Sequence, residues 1–245
     1  MGEAVVFGLI ASSALVIGGF VGARWKPPKS ILGVLLAFAS GSLIAALCFE
    51  LFPDAFELGG ATRAGLGLLA GGAAFVLANT WLDSRVAGSA KQDQTEKVKD
   101  ASSGAVGWAL LAAVTLDGVP ENLALGVSLA GDAGSMTLLV AIFFSNLPES
   151  LAGAAAMREE GRSQRFAVMT WSVCALLLAV AVVLGRAALS GASEHTLSFC
   201  LAFAGGAVLA SLADTLMPEA FEHGRPWNSA ATGLGFFVSF MLAEG

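Results

Sequence analysis

The sequence has 245 residues, of which 56% are hydrophobic and only 13% are charged, whereas soluble proteins carry about 25% charged residues. So few charges cannot cover a water-soluble domain, and the modest net charge of −6 is spread over the loops. The long apolar runs also differ from the alternating pattern of a membrane β-barrel. The composition therefore indicates a helical membrane protein and excludes a disordered chain, a disulfide scaffold and a nucleic-acid-binding protein.

Apolar runs divide the chain into eight predicted membrane crossings, each close to the ~20 residues that a transmembrane helix needs. The first run has no basic residues before it, unlike a secretory signal, so we interpret it as a retained crossing. The polar segment 83–103 is predicted to be a flexible cytoplasmic linker. The chain 1–245 then forms one transmembrane domain, with crossings near 4–23, 31–52, 64–82, 103–129, 135–157, 166–186, 197–217 and 227–243.

The basic residues predict the orientation of these crossings. If the N-terminus lies outside, eleven of the 13 Lys and Arg residues fall in cytoplasmic loops, and only Arg63 and Arg186 fall on the other side. Cytoplasmic loops of membrane proteins are enriched in Lys and Arg. We therefore expect a multi-pass protein of the cell (inner) membrane, with both termini outside or periplasmic.

An internal repeat relates the second and seventh crossings. Residues 37–60, AFASGSLIAALCFELFPDAFELGG, match residues 202–225, AFAGGAVLASLADTLMPEAFEHGR, with 12 identities in 24 positions at a constant offset of 165. The fourth and fifth crossings also share a motif, PENLA at 120–124 and PESLA at 148–152. Because each pair crosses in opposite directions, the repeat is inverted, as in secondary transporters. The predicted fold is all-α, an eight-helix inverted-repeat bundle of three, two and three crossings.

The fourth and fifth crossings carry acidic residues at membrane depth. Asp117 and Glu121 are four residues apart and share a helix face, and Glu149 lies in the fifth crossing. Each carboxylate at the bilayer centre costs ~2.5–3.5 kcal/mol. No basic residue is assigned to a crossing, so protons, a bound cation or water must compensate. Other oxygen donors nearby are Asn122, Ser145, Asn146 and Ser150, and the carbonyls of Leu116 and Phe144, which we expect Pro120 and Pro148 to free.

These oxygen atoms are hard ligands suited to a divalent cation. The fourth and fifth crossings contain the segments Asp-Gly-Val-Pro-Glu-Asn at 117–122 and Ser-Asn-Leu-Pro-Glu-Ser at 145–150. These segments resemble the His-Asn-x-Pro-Glu-Gly motifs in the same crossings of the ZIP (Zrt/Irt-like) family of divalent metal transporters. The motifs AFASG…LFPDA and AFAGG…LMPEA in the second and seventh crossings also resemble that family. The resemblance implies that Glu121 and Glu149 bridge two metals, that Asp117 replaces a histidine ligand, and that Asn146 serves the second metal.

No histidine lies in any crossing, so the predicted ligands are oxygen atoms: Asp117, Glu121, Asn146, Glu149, Ser145 and Asn122. Zinc, iron and manganese all remain open as the transported ion. Glu50 and Asp54 form a predicted acidic rim that concentrates cations outside, and Glu57 and Asp132 either belong to it or are ordinary solvated helix ends. Asp214 and Glu219 form a predicted exit. His195 and His223 fall in loops, where we expect an exposed structural role.

The sequence thus predicts a ZIP-like transporter that moves divalent metal cations toward the cytoplasm between the fourth and fifth crossings. The alternative is a ZIP-like metal sensor or scaffold that has lost transport. We expect no enzyme activity, because the crossings lack the histidines of an intramembrane metalloprotease and a base for a serine nucleophile. We expect no prosthetic group, since the metal ion is the substrate. The expected partners are divalent metal ions and the lipid bilayer, with no nucleic acid, and a homodimer remains open.

Overall fold

The computed structural model describes residues 1–92, 105–130 and 136–244, and for residues 82–83, 85–92, 105–117 and 244 it describes the backbone alone. All regular structure in these residues is helical. The helices are α1 (Gly2–Gly22), α2 (Lys29–Ala46), α3 (Phe52–Gln92), α4 (Ala105–Ala130), α5 (Met136–Glu159), α6 (Gln164–Leu189), α7 (Glu194–Ser211), α8 (Met217–Gly224) and α9 (Asn228–Glu244).

Two of the connections between helices are short because the sequence supplies both a stop and a start signal. Gly161 and Gly191 end α5 and α6 with φ of 84° and 82°, a conformation that favours glycine. Ser163 and Ser193 follow two residues later and cap the next helices, accepting hydrogen bonds from the third residue beyond each of them. These caps extend α6 and α7 beyond the predicted apolar runs.

In the part of the chain that the structure describes, five helical runs are long and apolar enough to cross a membrane: Gly2–Gly22, Lys29–Trp81, Met136–Glu159, Gln164–Leu189 and Glu194–Gly224. Asn228–Ala243 is apolar but shorter. The 53 residues of Lys29–Trp81 would extend about 80 Å at 1.5 Å per residue, far beyond the ~30 Å hydrocarbon core. Non-helical backbone at Gly60 (φ 73°) divides this run in two. These helices make a multi-pass membrane protein, while the count of eight crossings stays a prediction.

The predicted linker is partly helical. Helix α3 continues to Gln92, so the backbone of residues 83–92 forms helix, and residues 93–104 lie outside the described part of the chain. Alanine, arginine, lysine and glutamine in this segment all have good helix propensity. The polarity that predicted a linker did not by itself end the helix.

The 165-residue offset of the sequence repeat recurs in the backbone. A π turn at Leu47–Leu51 joins α2 to α3, and a second π turn at Leu212–Leu216 joins α7 to α8. In each turn an N–H donates to the carbonyl five residues earlier, Phe52 to Leu47 and Met217 to Leu212. Pro53 comes directly after the donor Phe52, and Pro218 comes directly after the donor Met217. Because proline has no N–H and its ring clashes with the carbonyl four residues back, the helix widens before it.

The packing of the helices follows the same pairing. The contact of α1 with α5 is matched by the contact of α6 with α4. In the same way, the contact of α2 with α9 is matched by the contact of α7 with α3. Across the middle, α2 contacts α5 as α7 contacts α4. Helices α1, α4, α5 and α6 therefore form one group, and α2, α3, α7, α8 and α9 form another, with α4 and α5 at the boundary.

Glycines allow the closest of these approaches. A Cβ at Gly41 would overlap the carbonyl oxygen of Thr232 in α9, and a Cβ at Gly206 would overlap that of Leu68 in α3. Gly41 and Gly206 are again 165 residues apart. Small residues at interfaces let membrane helices approach backbone to backbone, which is the role the sequence predicts for the glycine pairs at 71–72 and 205–206. The same kind of close approach occurs where Gly235 meets the Phe38 carbonyl oxygen and where Gly71 meets the Phe203 carbonyl oxygen.

Candidate metal centre

The contact between α4 and α5 contains a buried carboxylate. Glu121 lies in α4 just after Pro120 and is only 2% exposed. The Ser145 hydroxyl in α5 donates to Glu121 Oε2 at 2.9 Å and also lies 3.0 Å from the Ile142 carbonyl oxygen. A hydrogen bond to a charged group is stronger than one between neutral groups. This contact brings together two of the predicted site residues, Glu121 from α4 and Ser145 from α5.

Glu149 lies one turn beyond Ser145 on α5. The i, i+4 spacing places both on one helix face, and the Glu149 side chain is half-buried. Asp117 occupies the equivalent place on α4, one turn before Glu121, but its side chain lies outside the described part of the structure. Among the residues that are described, no three His, Cys, Asp or Glu side chains come together as a metal-binding group.

Asn146 is on a different face of α5 from Ser145. Its side chain is 1% exposed, and Nδ2 donates to the Ala11 carbonyl oxygen of α1 at 3.3 Å. One turn later the Ser150 hydroxyl lies 3.3 Å from the Ala14 carbonyl oxygen of the same helix. The contacts described for Asn146 and Ser150 therefore join α5 to α1. A role of Asn146 at a metal would involve its amide oxygen.

Asn122 is fully buried, with 0% exposure, on the face of α4 that also carries Gly118 and packs against α6. Its Nδ2 donates to the Gly118 carbonyl oxygen at 2.9 Å. Its Oδ1 is buried and has no hydrogen-bond partner within the described structure. Buried acceptors in proteins are normally satisfied, so this oxygen is available to a cation or a water molecule.

The residues of the predicted acidic rim differ from one another. Asp54 is half-buried and Glu57 is exposed, and Asp132 lies outside the described residues. Glu50 is engaged across the fold, because its Oε2 accepts a hydrogen bond from the Leu138 N–H of α5 at 3.2 Å. This contact was not foreseen, since nothing in the sequence pairs residues 88 positions apart. Asp214 and Glu219, the residues of the predicted exit, are exposed. Of the two histidines, His195 is exposed and His223 is half-buried.

Comparison with known proteins identifies the family. A family model described as ZIP zinc transporter matches residues 83–242, which include α4, α5 and the whole candidate site. A protein of Arabidopsis thaliana, named as a candidate zinc transporter, is 31% identical over 205 residues, or 82% of this chain. The alignment covers 32% of the Arabidopsis protein, so this chain spans about a third of the length of that relative. With more than half of its residues inside the family match, the chain belongs to the ZIP family of zinc transporters.

Proposed function

We propose that this protein carries divalent metal cations, of the zinc, iron or manganese class, across the cell (inner) membrane toward the cytoplasm. The observation that supports this most is the buried carboxylate of Glu121, held by Ser145 at the contact between α4 and α5. It lies inside the region that matches the family of metal transporters. A carboxylate in a membrane interior is costly and marks an ion pathway by default.

The proposed ligands are Glu121 and Glu149 with Asp117, assisted by Ser145, by the amide oxygen of Asn122 and by Asn146. All of these atoms are oxygen, which suits hard divalent ions and accepts zinc less selectively than imidazole would. The metal ion is the substrate and passes through this set of ligands. The protein need supply only charge, oxygen donors and a path.

We also propose that the chain crosses the membrane eight times, as an inverted repeat of three, two and three crossings. The paired helix contacts and the two π turns at one offset support this arrangement. In this arrangement α4 and α5 form the central pair. A site between such repeats lies near mid-membrane in secondary transporters.

The proposed orientation rests on the two ends of the bundle. An ion pair between Lys26 and Glu159 brings the C-terminal ends of α1 and α5 together, and Gly33 near the start of α2 packs on Gly224 at the end of α8. This end holds most of the basic residues of the described loops, and we assign it to the cytoplasm. Its basic residues are Arg24, Lys26, Lys29, Arg158, Arg162, Arg165 and Arg225.

Uptake by purified protein in proteoliposomes tests the proposal. We expect Zn²⁺, Fe²⁺ or Mn²⁺ to enter, and we expect Glu121→Gln and Glu149→Gln to abolish uptake because each removes a charged ligand. The matched control is Glu160→Gln, which removes an exposed carboxylate just beyond α5 and should leave uptake unchanged. Unchanged uptake in both site variants would refute the assignment.

The same preparation separates the transporter from the sensor or scaffold. A sensor would bind metal at Glu121 and Glu149, measured by isothermal titration, without any flux into the vesicles. A transporter would show flux that saturates with metal concentration. Binding without flux would therefore replace the transport proposal with the alternative.

A further inference from the structure

The hydrogen bond between Glu50 and α5 links the two helix groups. Glu50 lies in the first π turn and is half-buried, and its Oε2 is 3.2 Å from the Leu138 backbone nitrogen. Leu138 is the third residue of α5 and is fully buried. The first four N–H groups of a helix have no partner inside the helix, and a carboxylate there is favoured by the helix dipole. Glu50 therefore caps α5 from a distant part of the chain.

The capped turn begins the helix face that carries the candidate site. Leu138, Ile142, Ser145 and Glu149 follow one another at spacings of four, three and four residues, so they lie along one stripe of α5. Because α5 is a continuous helix from Met136 to Glu159, a shift or rotation of its first turn moves this stripe relative to Glu121. The π turn that places Glu50 is itself set by Pro53.

We propose that Glu50 is a positioning residue for metal transport, which holds the first turn of α5 and so sets Ser145 and Glu149 against Glu121. Glu50 acts as a hydrogen-bond acceptor of the right length and does not touch the metal. This inference rests on the proposed function. It differs from the role in an acidic rim, where the charge of Glu50 alone would matter.

Two substitutions separate length from charge. Glu50→Gln keeps the length and an oxygen acceptor for the Leu138 N–H but removes the charge. Glu50→Asp keeps the charge but is one methylene shorter. In proteoliposomes at low and high ionic strength, we expect the Asp variant to lower the maximal rate of uptake about tenfold, in line with the loss of a hydrogen bond to a charged group. The Gln variant should stay within about threefold of the unsubstituted protein, with no change in its salt dependence.

Thr215→Ala is the matched control. Thr215 occupies the position equivalent to Glu50 in the second π turn, 165 residues on. Among the described residues its hydroxyl bonds one turn back, to the Ser211 carbonyl oxygen at 2.6 Å and to the Ser211 hydroxyl at 3.3 Å. We expect uptake by this variant to match the unsubstituted protein. The opposite ranking of the two Glu50 variants, with Gln impaired and Asp active, would overturn the inference in favour of a rim charge. Equal uptake in both variants would also overturn it.

Hydrogen exchange provides a readout that does not depend on transport. With the full chain in lipid nanodiscs, Glu50→Asp should raise amide exchange in the first turns of α5, while Glu50→Gln should not, because only the former loses the cap. Unaltered exchange in Glu50→Asp would refute the positioning contact. If the unsubstituted protein shows no uptake, the proposed function fails while the exchange experiment still tests the contact.

Discussion

At the scale of single residues, the candidate site depends on where each side chain points around α4 and α5. Ser145 and Asn146 are neighbours in sequence, yet one contacts Glu121 and the other contacts α1. A helix turns about 100° per residue, so adjacent positions serve different partners. The Pro-Glu motifs of α4 and α5 are 28 residues apart in sequence. Glu121 is therefore the equivalent of Glu149, and Asn122 is the equivalent of Ser150.

Removal of the Ser145 hydroxyl should weaken metal binding. In Ser145→Ala the Glu121 carboxylate loses a donor that orients it at 2.9 Å. A hydrogen bond to a charged group contributes about 1.5–3 kcal/mol, so we expect KM for the transported metal to rise at least about tenfold. Uptake kinetics across metal concentrations measure this. Ser13→Ala is the control, because the contact described for that hydroxyl is to its own helix, at the Ile10 carbonyl oxygen. An unaltered KM would show that Ser145 does not position Glu121.

Asp117→His should change the preference among metals. The substitution restores the histidine found in the family motif and adds a borderline-soft nitrogen ligand, which favours zinc over manganese. We expect zinc to compete more strongly against manganese uptake in this variant than in the unsubstituted protein. Asp117→Asn controls for the loss of charge, because it adds no imidazole. Equal competition in the His and Asn variants would contradict a ligand role for position 117.

At the scale of helices, proline and glycine set the local geometry. Pro53 and Pro218 each follow a π turn, and Gly41 and Gly206 each press against the backbone of a neighbouring helix. The sequence repeat predicts that these positions are equivalent. It does not predict the π turns, because the adjustment that a helix makes to proline depends on what its neighbours allow.

The role of Gly41 predicts opposite effects of the same substitution at two glycines. Gly41→Ala places a methyl group on the Thr232 carbonyl oxygen and should destabilise the protein by about 1–3 kcal/mol. Gly65→Ala in α3 meets no atom within 4 Å and should stabilise the helix by up to about 1 kcal/mol. Thermal unfolding in detergent measures both. A Gly41→Ala variant as stable as Gly65→Ala would contradict the close approach of α2 and α9.

At the scale of the whole molecule, charge is sorted between the two ends of the bundle. The end with Lys26 and Glu159 holds most of the basic residues of the described loops, and the opposite end holds the Glu3–Arg186 ion pair at 2.8 Å. Both pairs are at least partly exposed, so each contributes little to stability. The two ion pairs show which helix ends lie together, those of α1 and α5 at one end of the bundle and those of α1 and α6 at the other.

The orientation can be measured by cysteine labelling. In a background with Cys48, Cys174 and Cys200 replaced by alanine, Glu194→Cys should react with a membrane-impermeant maleimide added outside intact cells. Glu160→Cys should react only after the membrane is permeabilised. Both positions are exposed next to helix ends, which makes them matched. The reverse pattern would invert the topology and the proposed direction of the pathway.

The sequence by itself determined the helical membrane class, the repeat and the acidic Pro-Glu motifs that lie in α4 and α5. These follow from hydropathy, proline placement and motif spacing, which are local or periodic properties of the chain. Only the tertiary structure decided that Ser145 contacts Glu121, that Asn146 contacts α1 and that Glu50 caps α5. Such contacts depend on the rotation and height of packed helices. Both are fixed by contacts between residues far apart in sequence, as between Gly41 and the Thr232 carbonyl oxygen, so no local pattern predicts them.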